Sequence, residues 1–110
     1  MSNNIEYIPF DPSMIGQKEI IIWCPDKDDY AELMQLMGNR GVHWGDGSMV
    51  ASDSNHSFGD RHCVRLTTDL CIKRADQYFY ENGYRDGNYS EYTFVKYPGI
   101  EVTVNVEDLL

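Results

Sequence analysis

Residues 18–39 read KEIIIWCPDKDDYAELMQLMGN, and the change of period within this stretch decides the fold. Glu19–Trp23 reads as a strand, continuously apolar from Ile20 and with three β-branched isoleucines. Such a strand is buried on both faces and belongs inside a sheet, not at its edge. Pro25 then suits a first helical turn, where a missing N–H costs nothing and φ is already close to helical. Asp26, Asp28 and Asp29 put negative charge where the helix dipole is positive. Tyr30, Leu33, Met34 and Met37 recur at i, i+3, i+4 and i+7, and Leu36 widens the stripe. Asp28, Glu32, Gln35 and Asn39 share the opposite face. The spacing predicts an amphipathic helix over about Asp26–Met37.

Towards the C-terminus, GNRGVHWGDGS (residues 38–48) reads as punctuation. Gly38 and Gly41 close the helix and reverse the chain, VHW is a short strand, and Gly45 and Gly47 make a tight turn. Met49–Asp60 is polar and reads as a loop. In HCVRLTT (His62–Thr68), Cys63, Arg65 and Thr67 alternate with Val64 and Leu66, the pattern of a half-buried strand. DLCIKRA (69–75) is a second strand after a turn at Thr68–Asp69. A short helix is expected over Ala75–Asn82, stopped by Gly83 and followed by a turn-rich insert, RDGNYSE. Tyr92–Tyr97 and Ile100–Val106 both have period two, and Pro98-Gly99 is expected to join them as a hairpin.

Towards the N-terminus, Pro9, Pro12 and Gly16 interrupt any period. Residues 1–18 are therefore expected to be an irregular extension, with Ile5, Tyr7, Ile8 and Phe10 docking on a single domain over 19–110. The order β-α-β-β-β-(short α)-β-β argues an α+β fold, a mostly antiparallel sheet with one main amphipathic helix on one face.

A chain of 110 residues is long enough for one domain with its own core. Its formal charge of −9 is unevenly placed. Residues 1–39 hold seven acids and two bases, 40–74 four acids and five bases, and 75–110 seven acids and two bases. The two acidic flanks repel nucleic acid and membrane surfaces and suit a basic protein partner. Three cysteines, Cys24, Cys63 and Cys71, form no C-x-x-C pair, and the polar N-terminus does not resemble a signal peptide. Together these features predict a protein of a reducing, cytosolic setting, with its cysteines as small core residues.

The pieces IIIWCPDKDDYAELM, GVHWGDG (with Gly41, Trp44 and Gly47), CVRL, ENGY and NVEDLL together resemble a group of small phage and prophage accessory proteins. The shared pattern is a strand running into Cys-Pro, an acidic helix, a Gly-x-x-Trp-x-x-Gly segment, a strand, and a late Gly-Tyr-strand ending in an acid. The chain departs from it by its proline-containing N-terminus and by the insertion RDGNYSEYTFVKYPG. The resemblance implies an accessory protein acting on host machinery and carries no catalytic motif.

Two binding constellations follow from the residues. In the first, Asp26, Asp28, Asp29 and Glu32 on the helix, with Asp86 and Glu91 in the insertion, present spaced carboxylates that stand in for phosphates. Tyr84, Tyr89 and Tyr92 add amphipathic anchors of the kind interfaces favour. That set predicts a non-enzymatic inhibitor of a basic host protein, for instance a nucleic-acid-handling defence enzyme of the type anti-CRISPR or anti-restriction proteins block. In the second, Arg61, Arg65, Lys73 and Arg74 gather within fourteen residues. With Trp44, Tyr78 and Tyr80 they predict a pocket that stacks a base, pairs a phosphate and sequesters a signalling nucleotide.

No Gly-rich phosphate loop is present. No paired acid and base stands at a catalytic spacing, and neither a cofactor nor an enzymatic activity is expected. His62 and Cys63 are adjacent, so on a strand they point to opposite faces and cannot close one metal site. Exposed tyrosines and edge strands would permit a homodimer.

Overall fold

The computed structural model describes residues 4–51, 55–99 and 102–105. Among them run strand β1 (Asn4–Pro9), β2 (Ile20–Trp23), helix α1 (Lys27–Asn39), β3 (His43–Trp44), β4 (His62–Leu66), β5 (Cys71–Asp76), helix α2 (Gln77–Arg85), β6 (Thr93–Lys96) and β7 (Val102–Asn105). The strands form one sheet in the order β3-β5-β4-β2-β6-β1-β7.

The isoleucine run takes the middle place in that order. Ile20, Ile21 and Ile22 are fully buried, with β4 antiparallel on one side and β6 parallel on the other. Ile20 and Ile22 meet Leu33, Met34 and Met37 of α1, while Ile21 faces the other way into a cluster with Tyr7, Cys63, Tyr80 and Phe94. Burying each isoleucine is worth about 1.5–3 kcal/mol. The three together are therefore a large part of a stability margin that for most domains totals about 5–15 kcal/mol.

Helix α1 starts at Lys27, so Pro25 lies before the first turn and not in it, while the acids sit where the dipole favours them. Asp26 is its cap, and its carboxylate accepts from the backbone N–H groups of Asp28 and Asp29 at 2.8 and 3.0 Å. The helix runs two residues past the expected end, through Gly38. The chain reverses at Gly41, whose φ of +85° is one that side-chain-bearing residues rarely adopt.

The α+β class holds, with four corrections. First, the N-terminal segment is not irregular. Residues 4–9 form β1, which inserts parallel to β6 (Ile8 opposite Val95) and antiparallel to β7 (Ile5 opposite Val104). Pro9 ends this strand and does not prevent it, and Ile5 and Tyr7 point inward between exposed Asn4 and Glu6. Second, Pro98-Gly99 does not join a hairpin, because β1 lies between β6 and β7. Ile100 and Val106, the ends expected for the last strand, lie outside the described residues. Third, the sheet is mixed, with three parallel pairings (β1–β6, β2–β6, β3–β5) and three antiparallel ones. Fourth, both faces are covered, so His62, Cys63, Val64 and Leu66 of β4 are all buried instead of alternately exposed.

The second cover is α2 with the turn after it. Gly83 does not stop this helix, which continues to Arg85. A Cβ on Gly83 would lie 2.6 Å from the ring of Tyr89, so the glycine lets that ring pack down on the helix. Tyr80, Tyr84, Tyr89 and Tyr92 all join the cluster beneath, and Tyr89 meets Tyr80 and Tyr92 edge-on with centroids 5.3 and 5.5 Å apart.

Candidate functional site

The β4–β5 hairpin decides which of the clustered cations meet. Its register pairs Arg65 with Lys73 and Val64 with Arg74. Because side chains alternate across a strand, Arg65 and Lys73 share the α2 face while Arg74 belongs to the α1 face. There the Arg74 guanidinium stacks on Trp44 at 4.8 Å and donates to the carbonyl of Asn55 at 3.1 Å. Arg61 precedes the strand, pairs with Asp76 at 2.9 Å and lies over the ring of Tyr78 at 4.8 Å.

The residues expected to share one pocket therefore separate into three places. Trp44 is under Arg74, Tyr78 is under Arg61, and Arg65 stands with Lys73. Arg61 is neutralised by its own acid.

Arg65 and Lys73 line a cavity of about 340 Å³ with Phe79, Tyr80 and Tyr89, and Arg74 borders it too, although its guanidinium is engaged with Trp44 and Asn55. Like charges directly opposite on neighbouring strands destabilise a sheet. Here the pair is kept without compensation. Among the described residues neither cation makes an ion pair, and the Nε of Arg65 is buried with no hydrogen-bond partner. That is notable in a chain with eighteen acids and nine bases. The aromatic walls come from α2, where Phe79 is 58% exposed, and from Tyr89, held over Gly83. Burial raises the phenol of Tyr80 above its usual range, and Arg65 opposes the shift.

The acidic constellation divides between the two faces of the sheet. Asp26, Asp28, Asp29 and Glu32 lie at the start of α1, where the carboxyl of Asp29 is raised by partial desolvation and then by Asp26 and Glu32. Glu32 accepts a hydrogen bond from the hydroxyl of Tyr97. On the other side, Asp86 caps the end of α2 beside Arg85 at 3.7 Å, and Glu91 is exposed. Tyr84, Tyr89 and Tyr92 are half-buried in the cluster under α2. Their rings are largely committed to the core.

The cysteines are free thiols. Cys24 is 1% exposed, and burial pushes its thiol up to about 12, while Cys63 is raised well above its usual value for the same reason. His62 lies on the α1 face against Tyr30 and His56, with centroids 4.4 and 4.6 Å apart, and Cys63 on the opposite face. Among the described residues no group of three or more histidine, cysteine or acidic side chains is placed to hold a metal ion. No helix among them is long and apolar enough to cross a membrane.

Sequence reasoning passed over Phe79 and gave Tyr89 to a protein interface. The available signal was helical spacing, since successive residues of QYFYENGY cannot all face the sheet and Phe79 follows exposed Tyr78. No family model, curated protein or solved structure matches the chain.

Proposed function

We propose that the protein is a non-enzymatic binding module that captures a small anion carrying a flat, unsaturated group. The observation that supports this reading best is the Arg65–Lys73 register pair, two neighbouring cations without a counter-ion among the described residues of a strongly acidic chain. An anion between them relieves their repulsion, and charge-assisted hydrogen bonds to a guanidinium and an ammonium are the strong ones. The cavity volume falls in the range of small-ligand sites, about 300–1,000 Å³. The resemblance to phage accessory proteins supports a setting in which such capture removes a host signalling molecule.

Titration calorimetry with inorganic pyrophosphate tests it. The wild-type chain binds, and Arg65→Gln or Lys73→Gln weakens binding at least tenfold. Equal affinity in all three proteins would sink the proposal.

A second reading, inhibition of a basic host protein, rests on the carboxylates at the start of α1, where desolvation and then the neighbouring Asp26 and Glu32 raise Asp29. Reversing charge with Asp28→Lys and Glu32→Lys abolishes salt-sensitive capture of such a partner and leaves pyrophosphate binding intact. The opposite pattern would remove this reading.

A further inference from the structure

We infer that the ligand is a free nucleotide, its phosphates between Arg65 and Lys73 and its base across Phe79 in an adjoining hollow. The inference rests on the anion-capture reading and adds the identity of the second half of the ligand.

A cavity of about 420 Å³ adjoins the first and shares Phe79 and Tyr89 with it. The two hollows differ in chemistry. The first carries the unpaired cations. The second carries no cation and is lined by Asn82, Asn88 and Asp86 beside the aromatic rings. A phosphate is repelled by Asp86, whereas an uncharged ring with polar edges is not.

Asn82 donates its Nδ2 to the carbonyl of Tyr78 at 2.8 Å, which fixes the amide and leaves Oδ1 as an acceptor. Asn88 is exposed and has both amide functions to offer. Donor and acceptor edges beside an exposed Phe79 ring match a nucleobase, which stacks on its face and hydrogen-bonds at its rim. A ligand anionic at one end and flat, neutral and polar-edged at the other is a nucleotide.

The same chemistry could arrive as the end of a nucleic acid strand. The net charge of −9 argues for the free nucleotide, because a polyanion must approach two acidic flanks while a mononucleotide brings its phosphates only to the cationic hollow.

Calorimetry on the full chain separates these cases with four probes: the nucleoside 5′-diphosphates of the common bases, their nucleosides, pyrophosphate and a single-stranded octanucleotide. At least one nucleoside diphosphate is expected to bind about tenfold or more tighter than pyrophosphate, the gain expected from one stacked base. Phe79→Ala removes that margin, read as the ratio of nucleotide to pyrophosphate affinity within the same variant. Phe79 is exposed, and Phe79→Tyr, which keeps a ring, retains the margin. Arg65→Gln weakens nucleotide and pyrophosphate alike.

Equal binding of nucleotide and pyrophosphate, or a margin that survives Phe79→Ala, overturns the nucleotide and leaves anion capture standing. An octanucleotide that outcompetes every mononucleotide overturns the free ligand. Absence of binding by pyrophosphate and nucleotides alike overturns both proposals.

Discussion

Replacing Tyr7 by phenylalanine tests whether the N-terminal strand belongs to the fold, and the structure sets the size of the effect. The Tyr7 hydroxyl donates to Glu81 Oε2 at 2.6 Å, and Gln77 donates to the same oxygen at 3.0 Å. Both Tyr7 and Glu81 are fully buried, and Glu81 Oε1 has no partner. Burial raises the Glu81 carboxyl above its usual range, and the hydrogen bonds from Tyr7 and Gln77 pull it back. A group whose folded value is raised gives stability that is fully present below its unfolded value and is lost as pH climbs through the folded one. The contribution of Glu81 therefore favours the fold most at acid pH and fades as its carboxyl ionises.

Tyr7→Phe keeps the ring and its edge-on contacts with Trp23 and Phe94, at 5.4 and 5.5 Å, and removes only the hydroxyl. On the alkaline side, taken at pH 8, ionisation of Glu81 is favoured most, and a lost bond to a charged group costs about 1.5–3 kcal/mol. At pH 4 the carboxyl is protonated, the bond is a neutral one, and the cost falls to about 0.5–1.5 kcal/mol. Urea unfolding followed by tryptophan fluorescence reads both. With slopes of about 1–3 kcal/mol per molar urea, the midpoint at pH 8 drops by roughly 1 M, and by less at pH 4. An unchanged midpoint at pH 8 would mean that β1 does not dock beneath α2. A loss equal at both pH values would mean that Glu81 does not titrate.

Three further outcomes follow from the same coordinates. Without ligand, the double variant Arg65→Gln/Lys73→Gln melts no lower than wild type, because it removes a like-charge pair that costs roughly 0.2–1 kcal/mol. A lower melting temperature in calorimetry would mean that the cations are compensated. Gly83→Ala destabilises by about 1–3 kcal/mol, since the added methyl meets the Tyr89 ring at 2.6 Å and overpacking outweighs a helix-propensity gain of up to about 1 kcal/mol; a thermal melt at or above wild type would show that the ring is not seated there. Asp26→Ala loses the two cap bonds of α1 and about 1 kcal/mol, while Asp26→Asn retains most of that stability, a contrast that chemical denaturation resolves.

The centre of the fold was legible because β2 and α1 carry signals that no partner is needed to interpret: three consecutive isoleucines, a Pro-Asp start and an apolar stripe at helical spacing. The edge around β1 was not. Its alternation spans only Asn4 to Tyr7 before Pro9, too short to stand out against the prolines, and its pairing with β6 and β7 is set by residues far along the chain. For the same reason β6 and β7 read as a hairpin. The cluster of cations was visible, but its division was not used. The turn after Thr67 places Arg65 opposite Lys73, and alternation alone then sends Arg74 to the other face. The burial of Tyr84, Tyr89 and Tyr92 was not legible, because a tyrosine in a turn-rich insert looks the same whether its ring covers a sheet or a partner.

The insertion of β1 also orders events during synthesis. Chains emerge from the N-terminus, and domains begin to form as they emerge. Strands β2, β4 and β5, with α1 between them in the chain, can pair among themselves before residue 93 has been made. Strand β1 leaves the ribosome first among the described strands, yet both its partners, β6 and β7, leave last. Through translation Ile5, Tyr7 and Ile8 must wait as an unpaired apolar strand. Asn4 and Glu6 alternate with the inward residues, and Pro9 ends the strand, which are the residue types that discourage a waiting strand from pairing with a neighbouring chain.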